Sequence, residues 1–144
     1  MKTTTKLLTV VLATAIVANF AGCGPFDIFG GVGERPKPKP IAMLFHDENE
    51  IFQDDTIDGD EVLVGHSKNI TLTIKNTGAS LLTIDTANIA ITGTDAAAFI
   101  KATDPGSNIS VGNQSSFSIE FKPVKQGENG ATLTIPTNDD AETL

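Results

Sequence analysis

Between Asp47 and Glu61 the chain places eight carboxylates in fifteen residues: Asp47, Glu48, Glu50, Asp54, Asp55, Asp58, Asp60 and Glu61. Oxygen-rich clusters of this kind bind Ca²⁺, and Asp54, Asp58 and Asp60 are the candidate ligands, with Asp58-Gly59-Asp60 matching part of a calcium loop. The spacing of an EF-hand is absent. Counted from Asp54, the third position is Thr56 and the twelfth is Gly65, where a bidentate Glu is required. An acidic, solvated loop between the first two strands is the competing account, because runs of charge are commonly solvated.

His46 and His66 are the two histidines, each beside a strand boundary. No Gly-x-Ser-x-Gly elbow exposes a nucleophile for them to activate, and they lack the i, i+4 spacing that would start a zinc site. A constellation able to do catalysis is therefore missing. The chain is expected not to be an enzyme, to need no cofactor, and to carry both histidines as ordinary surface residues.

The remaining reactive group is the single cysteine, Cys23, which has no second cysteine to pair with. Unpaired thiols in secreted chains invite intermolecular disulfides. Ahead of it lie Lys2 and Lys6, an apolar run from Leu7 to Phe20, and then Ala21-Gly22. A charged start, a short apolar core and a small-residue exit make a secretory signal that is removed on maturation. Leu7 to Gly22 is 16 residues, interrupted by Thr9, Thr14 and Asn19, whereas a spanning helix needs about 20 mostly apolar ones.

The Ala21-Gly22-Cys23 ending resembles a bacterial lipobox, with Phe20 standing where that motif usually has Leu. The resemblance implies lipidation of Cys23 and a mature protein that begins there, held to a membrane by its acyl chains. Gly24 is not the Asp that favours inner-membrane retention in enteric-type lipoproteins. By that resemblance the outer membrane is preferred, on its periplasmic face or at the cell surface.

Residues 1–22 are thus a leader, 23–40 a tether and 41–144 the folded domain. The tether carries Gly24, Pro25, Gly30, Gly31 and Gly33, then Pro36-Lys37-Pro38-Lys39-Pro40. Alternating proline favours an extended polyproline-II spacer of about 3.1 Å per residue. Loss of the leader, with Lys2 and Lys6, takes the formal net charge from −8 to −10. That balance argues against nucleic acid, whose phosphates require Lys and Arg. Trp and Tyr are absent, which weakens a carbohydrate-binding reading and leaves Phe as the only ring.

The elements that must position these residues follow a period of two. Ile70, Leu72 and Ile74 alternate with Thr71 and Thr73; Phe117, Ile119 and Phe121 with Ser116, Ser118 and Glu120; Ala131, Leu133 and Ile135 with Thr132 and Thr134. Each run has one face for a core and one for water. Further strands are expected at Ile41 to Phe45, Leu81 to Thr86, Ile89 to Thr92 and Phe99 to Thr103, with turns at Asn76-Thr77-Gly78, Pro105-Gly106, Gly127-Glu128-Asn129-Gly130 and Asn138-Asp139-Asp140. The one helical hint is Asp95-Ala96-Ala97-Ala98, with Thr94 or Asp95 as a cap. Many short strands over about 100 residues predict an all-β, immunoglobulin-like antiparallel sandwich.

The stretches Asn69 to Gly78, Leu81 to Ile84, Ile91 to Asp95 with Phe99, Phe117 to Pro123, and Ala131 to Ile135 with Asn138-Asp139 resemble the choice-of-anchor D domain of bacteria. That domain is related to the ASH, Hydin and major-sperm-protein group of Ig-like sandwiches. The resemblance implies a structural or protein-binding module without shared catalytic residues. In the family a last strand follows the Asn-Asp turn, whereas here Asp139-Asp140-Ala141-Glu142-Thr143-Leu144 leaves little room for one. Three explanations stay open: a truncated reading frame, a sandwich completed by its own N-terminal segment, or a strand donated by a partner.

The functional expectation is a lipid-anchored envelope protein whose Ig-like module acts as structure or binds a protein partner. The alternatives are an accessory subunit or fragment of a larger envelope or secreted enzyme or adhesin, and a Ca²⁺-dependent adhesive module resting on the Asp47 to Glu61 segment. Calorimetry with Ca²⁺ decides the last of these: neither heat nor a thermal shift is expected, and a saturable signal would reinstate Asp54, Asp58 and Asp60 as ligands.

Overall fold

The computed structural model describes residues 6–11, 37–58 and 60–139, the first of these as backbone. In chain order the strands are β1 (Lys6–Val11), β2 (Ala42–His46), β3 (Asn49–Ile51), β4 (Thr56–Asp58), β5 (Lys68–Asn76), β6 (Leu82–Thr83), β7 (Ala90–Thr92), β8 (Phe99–Lys101), β9 (Asn108–Ile109), β10 (Gln114–Phe121) and β11 (Asn129–Thr134). One sheet has the order β3-β2-β5-β10-β8, the other β4-β1-β11-β7, and β6 pairs with β9 in a short separate ladder. All these pairings are antiparallel except β1 with β11, which is parallel. The fold is the expected all-β, Ig-like sandwich.

Its core follows from the period of two. In β5 the residues Ile70, Leu72 and Ile74 are buried; in β10, Phe117, Ile119 and Phe121; and in β11, Ala131 and Leu133, with Ile135 just beyond. Register places Phe117 opposite Leu72 and Ile119 opposite Ile70, so like faces coincide. Direct cross-strand pairing of this kind is the unit of sheet stability. Phe99 adds its ring beside Phe121, with centroids 4.8 Å apart and planes tilted by 32°.

The acidic segment departs from expectation. A solvated loop between the first two strands is the reading the sequence favours for Asp47 to Glu61, yet the segment carries β3 and β4. Asp47 and Glu48 have φ of 47° and 67°, so they make the two-residue turn with both φ positive that matches strand twist. Neither Gly nor Asn signals that turn in the sequence. Ile57, the one apolar residue of β4, is buried and anchors the strand to the core.

Two other expectations shorten. The run Leu81 to Thr86 gives only β6 and a lone bridge from Ile84 to Thr137, and then becomes a 3₁₀ turn at Thr86–Asn88. Asn88 Nδ2 donates to Asp85 Oδ2 at 2.7 Å, a local side-chain bond that competes with strand extension. The helical hint is a 3₁₀ turn, Ala96–Ala98, in which the Asp95 side chain makes no capping bond. It reaches across to β11 instead, accepting the Gly130 N–H at 3.2 Å and pairing with Lys125. Gly130 and Asn129, expected as turn residues, belong to β11.

The Lys125 ammonium beside Asp95, followed by the Gly130 N–H, holds the carboxyl below its ordinary 3.8. A depressed folded value contributes stability that is complete above the unfolded one and is lost as pH falls through the folded one. Acid unfolding followed by circular dichroism is therefore expected to show a smaller loss of stability below about pH 4 in Asp95→Asn than in the parent. An identical acid limb in both would refute this bridge between the 3₁₀ turn and β11.

Candidate functional site

The carboxylates singled out for Ca²⁺ do not converge. Among the described residues no group of three or more His, Cys, Asp or Glu side chains stands close enough to hold a metal ion. Asp54 lies exposed in the turn after β3, with φ of 65°. Asp58 is exposed on β4, and Asp60 pairs with Lys68. Asp55 serves the same turn as Asp54, its Oδ2 accepting the Phe52 N–H at 2.9 Å. His46 stands at the end of β2 with Nε2 3.5 Å from Asp47 Oδ2, and His66 is exposed with its N–H donated to Leu63 at 3.0 Å. Cys23 lies outside the described residues.

Two other arrangements follow from the rule that buried N–H and C=O groups must find partners. The first is a polar clasp at the entry to the domain. Asn76, the last residue of β5, is fully buried. Its Nδ2 donates to the carbonyls of Ser80 at 2.7 Å and Ile109 at 2.9 Å, and its Oδ1 accepts the Gly78 N–H at 3.0 Å. Next to it the chain enters β2: Thr77 N–H reaches the Ile41 carbonyl at 2.9 Å, and Ala79 N–H reaches that of Lys39 at 2.8 Å. At Gly78 a Cβ would overlap the backbone of residues 39–41, so this close approach requires glycine. Lys39 and Pro40, read as tether, are thus held by the domain.

The Asn138-Asp139 turn completes the clasp. Asp139 Oδ2 accepts the Ala42 N–H at 2.7 Å, joining the end of the described domain to β2. Asn138 treats β6 as a neighbouring strand would, its Oδ1 accepting the Thr83 N–H at 2.7 Å and its Nδ2 donating to Leu81 at 3.2 Å. The sequence marks this pair only as turn residues; its role in holding two distant segments is a tertiary fact.

The second construction is a slot one strand wide between β4 and β11. β1 occupies it, pairing in parallel with β11 from Lys6↔Asn129 to Val11↔Thr134 and antiparallel with β4 at Leu7↔Asp58, Leu8↔Ile57 and Thr9↔Thr56. The register positions of Leu8 and Val10 share the sheet face of the buried Ile57, Ala131 and Leu133. Among the described residues, an N-terminal segment thus takes a place in the sheet beside β11. It comes from the segment expected to be a leader, whose largely apolar run does not distinguish strand from helix.

The model of the HYDIN/CFA65/VesB-like, Ig-like domain family matches residues 51–144. No curated protein matches the chain.

The clasp generates a stability test. Asn76→Asp keeps the shape but cannot donate to the Ser80 and Ile109 carbonyls, and leaving such buried groups unpaired costs about 1 to 3 kcal/mol each. Urea unfolding is expected to show a loss of about 3 kcal/mol, whereas the exposed Asn113→Asp is expected to change stability by less than about 0.5 kcal/mol. Equal effects at both positions would remove Asn76 from its place at the centre of the clasp.

Proposed function

The chain belongs to the HYDIN/CFA65/VesB-like, Ig-like domain family, and from that premise we propose that it is a lipid-anchored protein of the bacterial cell envelope whose Ig-like module binds a protein partner or serves as structure. Domains of this kind are generally non-catalytic, which fits a structural or protein-binding role. The observation that carries the reading is the order along the chain: a leader-like segment, Ala21-Gly22-Cys23, a Gly- and Pro-rich stretch, then the sandwich. Cysteine placed there is an attachment point, because the chain contains no second cysteine for it to join.

Anchoring also accounts for the tether. Without residues 1–22 the protein has a formal net charge of −10, and an anionic leaflet repels such a domain. A spacer that stiffens at Pro36 to Pro40 holds it clear of the head groups while the acyl chains keep it at the surface. The clasp at Lys39 to Ala42 fixes where that spacer meets the sandwich, so any pull on the anchor is delivered to the Asn76 and Asp139 bonds.

Metabolic labelling with a clickable fatty acid in a bacterial host tests the anchor. Label on the parent and none on Cys23→Ser is expected, together with an N-terminus at residue 23 by mass spectrometry. A labelled Cys23→Ser variant, or a parent whose N-terminus remains Met1, would sink the proposal.

A further inference from the structure

The four-stranded sheet depends on the strand that the proposed maturation removes. Within the described pairings β4 has β1 as its only neighbour, and β11 would retain only β7. Without β1, two rows of backbone N–H and C=O groups face each other across a gap of about 10 Å, twice the usual strand spacing. Water can satisfy those groups, but it cannot satisfy the apolar floor formed by Ile57, Ala131 and Leu133, all buried in the complete sheet.

We propose that this slot is a strand-acceptor site, filled by Lys6–Val11 while the leader is attached and afterwards by an extended segment of a partner protein. The inference rests on the leader being removed, as argued above. Main-chain pairing would give such a complex its affinity and alternate side chains its specificity. The chemistry of the occupant can be taken from the one now present. Leu8 stands opposite the small Ala131 and Val10 opposite the larger Leu133, so the partner carries a larger and a smaller aliphatic residue two positions apart. Lys6 begins the present strand, and a basic residue there suits a domain of formal charge −10 without its leader.

The direction of entry follows from the edges. β1 runs parallel to β11 and antiparallel to β4, so β4 and β11 run opposite ways. Any inserted strand therefore pairs in parallel with one edge and antiparallel with the other. The leader sets its six parallel pairs on β11 and three antiparallel pairs on β4, although antiparallel pairing is the slightly more stable of the two. A strand entering the other way puts the better pairing on the longer edge. The leader is the weaker occupant, and the partner strand runs antiparallel to β11.

Hydrogen exchange on the purified full chain, leader retained, tests this with two synthetic peptides: residues 5–12 as written, and the same residues in reverse order. Leu8→Asp with Val10→Asp is expected to lower amide protection across Asn129–Thr134 at least about tenfold, while Thr9→Asp leaves it unchanged. Either peptide restores protection, the reversed one at lower concentration. In the unmutated chain, excess reversed peptide moves Lys6–Val11 into fast exchange while Asn129–Thr134 stays protected, a result that does not depend on the variant folding. Three results overturn the proposal: protection that survives Leu8→Asp with Val10→Asp without peptide, because another segment of the chain then fills the slot; protection regained on raising protein concentration alone, which assigns the slot to a second copy; and no release of the leader by the reversed peptide. The N-terminal mass of protein extracted from the envelope judges leader removal separately, so failure of that step and failure of the slot are told apart.

Discussion

Pairing between β5 and β10 is the constraint on which the rest of the sandwich depends. Eight consecutive register pairs, from Gln114↔Lys75 to Phe121↔Lys68, hold the two longest strands together. Their inward faces supply Ile70, Leu72, Ile74, Phe117, Ile119 and Phe121, none more than 2% exposed. A one-residue slip would turn these six side chains to water and bring Thr71, Thr73, Ser118 and Glu120 inward. Register and core are thus one decision, and β2 and β8 add to the two free edges of this pair.

The opposite sheet is built differently. β11 alternates strictly between buried and half-buried residues, and the strands around it are short or come from far away in the chain. This asymmetry gives the domain one layer built from neighbouring long strands and one that includes the distant β1. Side chains compensate where ladders are short: Asp95 reaches β11 from the 3₁₀ turn, Asn138 completes the edge of β6, and Asp139 joins β2. The bonds to Gly130 and Ala42 spare partly buried backbone groups the cost of lacking a partner, which is larger than the net gain of a hydrogen bond between two that are paired.

For function, the consequence is that location and contact are linked. The clasp ties the point where the proposed tether enters to the Asn138-Asp139 turn, and β1 lies between β4 and β11 over an apolar floor that water cannot satisfy. Under the proposed strand-acceptor reading, recognition is by backbone pairing on an apolar floor, with no requirement for the Trp and Tyr anchors that the composition lacks.

Much of this could be read in advance. β5, β10 and β11, their inward residues and the sandwich class follow from alternation, because a side-chain period of two belongs to each strand alone. β3 and β4 could not be read, since three-residue strands with one apolar residue each, Ile51 and Ile57, look like part of an acidic run, and Asp47-Glu48 has Glu where a tight turn usually has Gly. Of the site, the sequence showed the Asn138-Asp139 turn and an apolar run beginning at Leu7. That the start of this run pairs with β11, parallel and more than a hundred residues away in the chain, was decided by tertiary structure. The reason is physical: side chains determine which face of a strand goes inward, but the N–H and C=O groups along its edge are the same in every residue except proline. Which strand lies beside which is therefore settled only when the whole sheet is assembled.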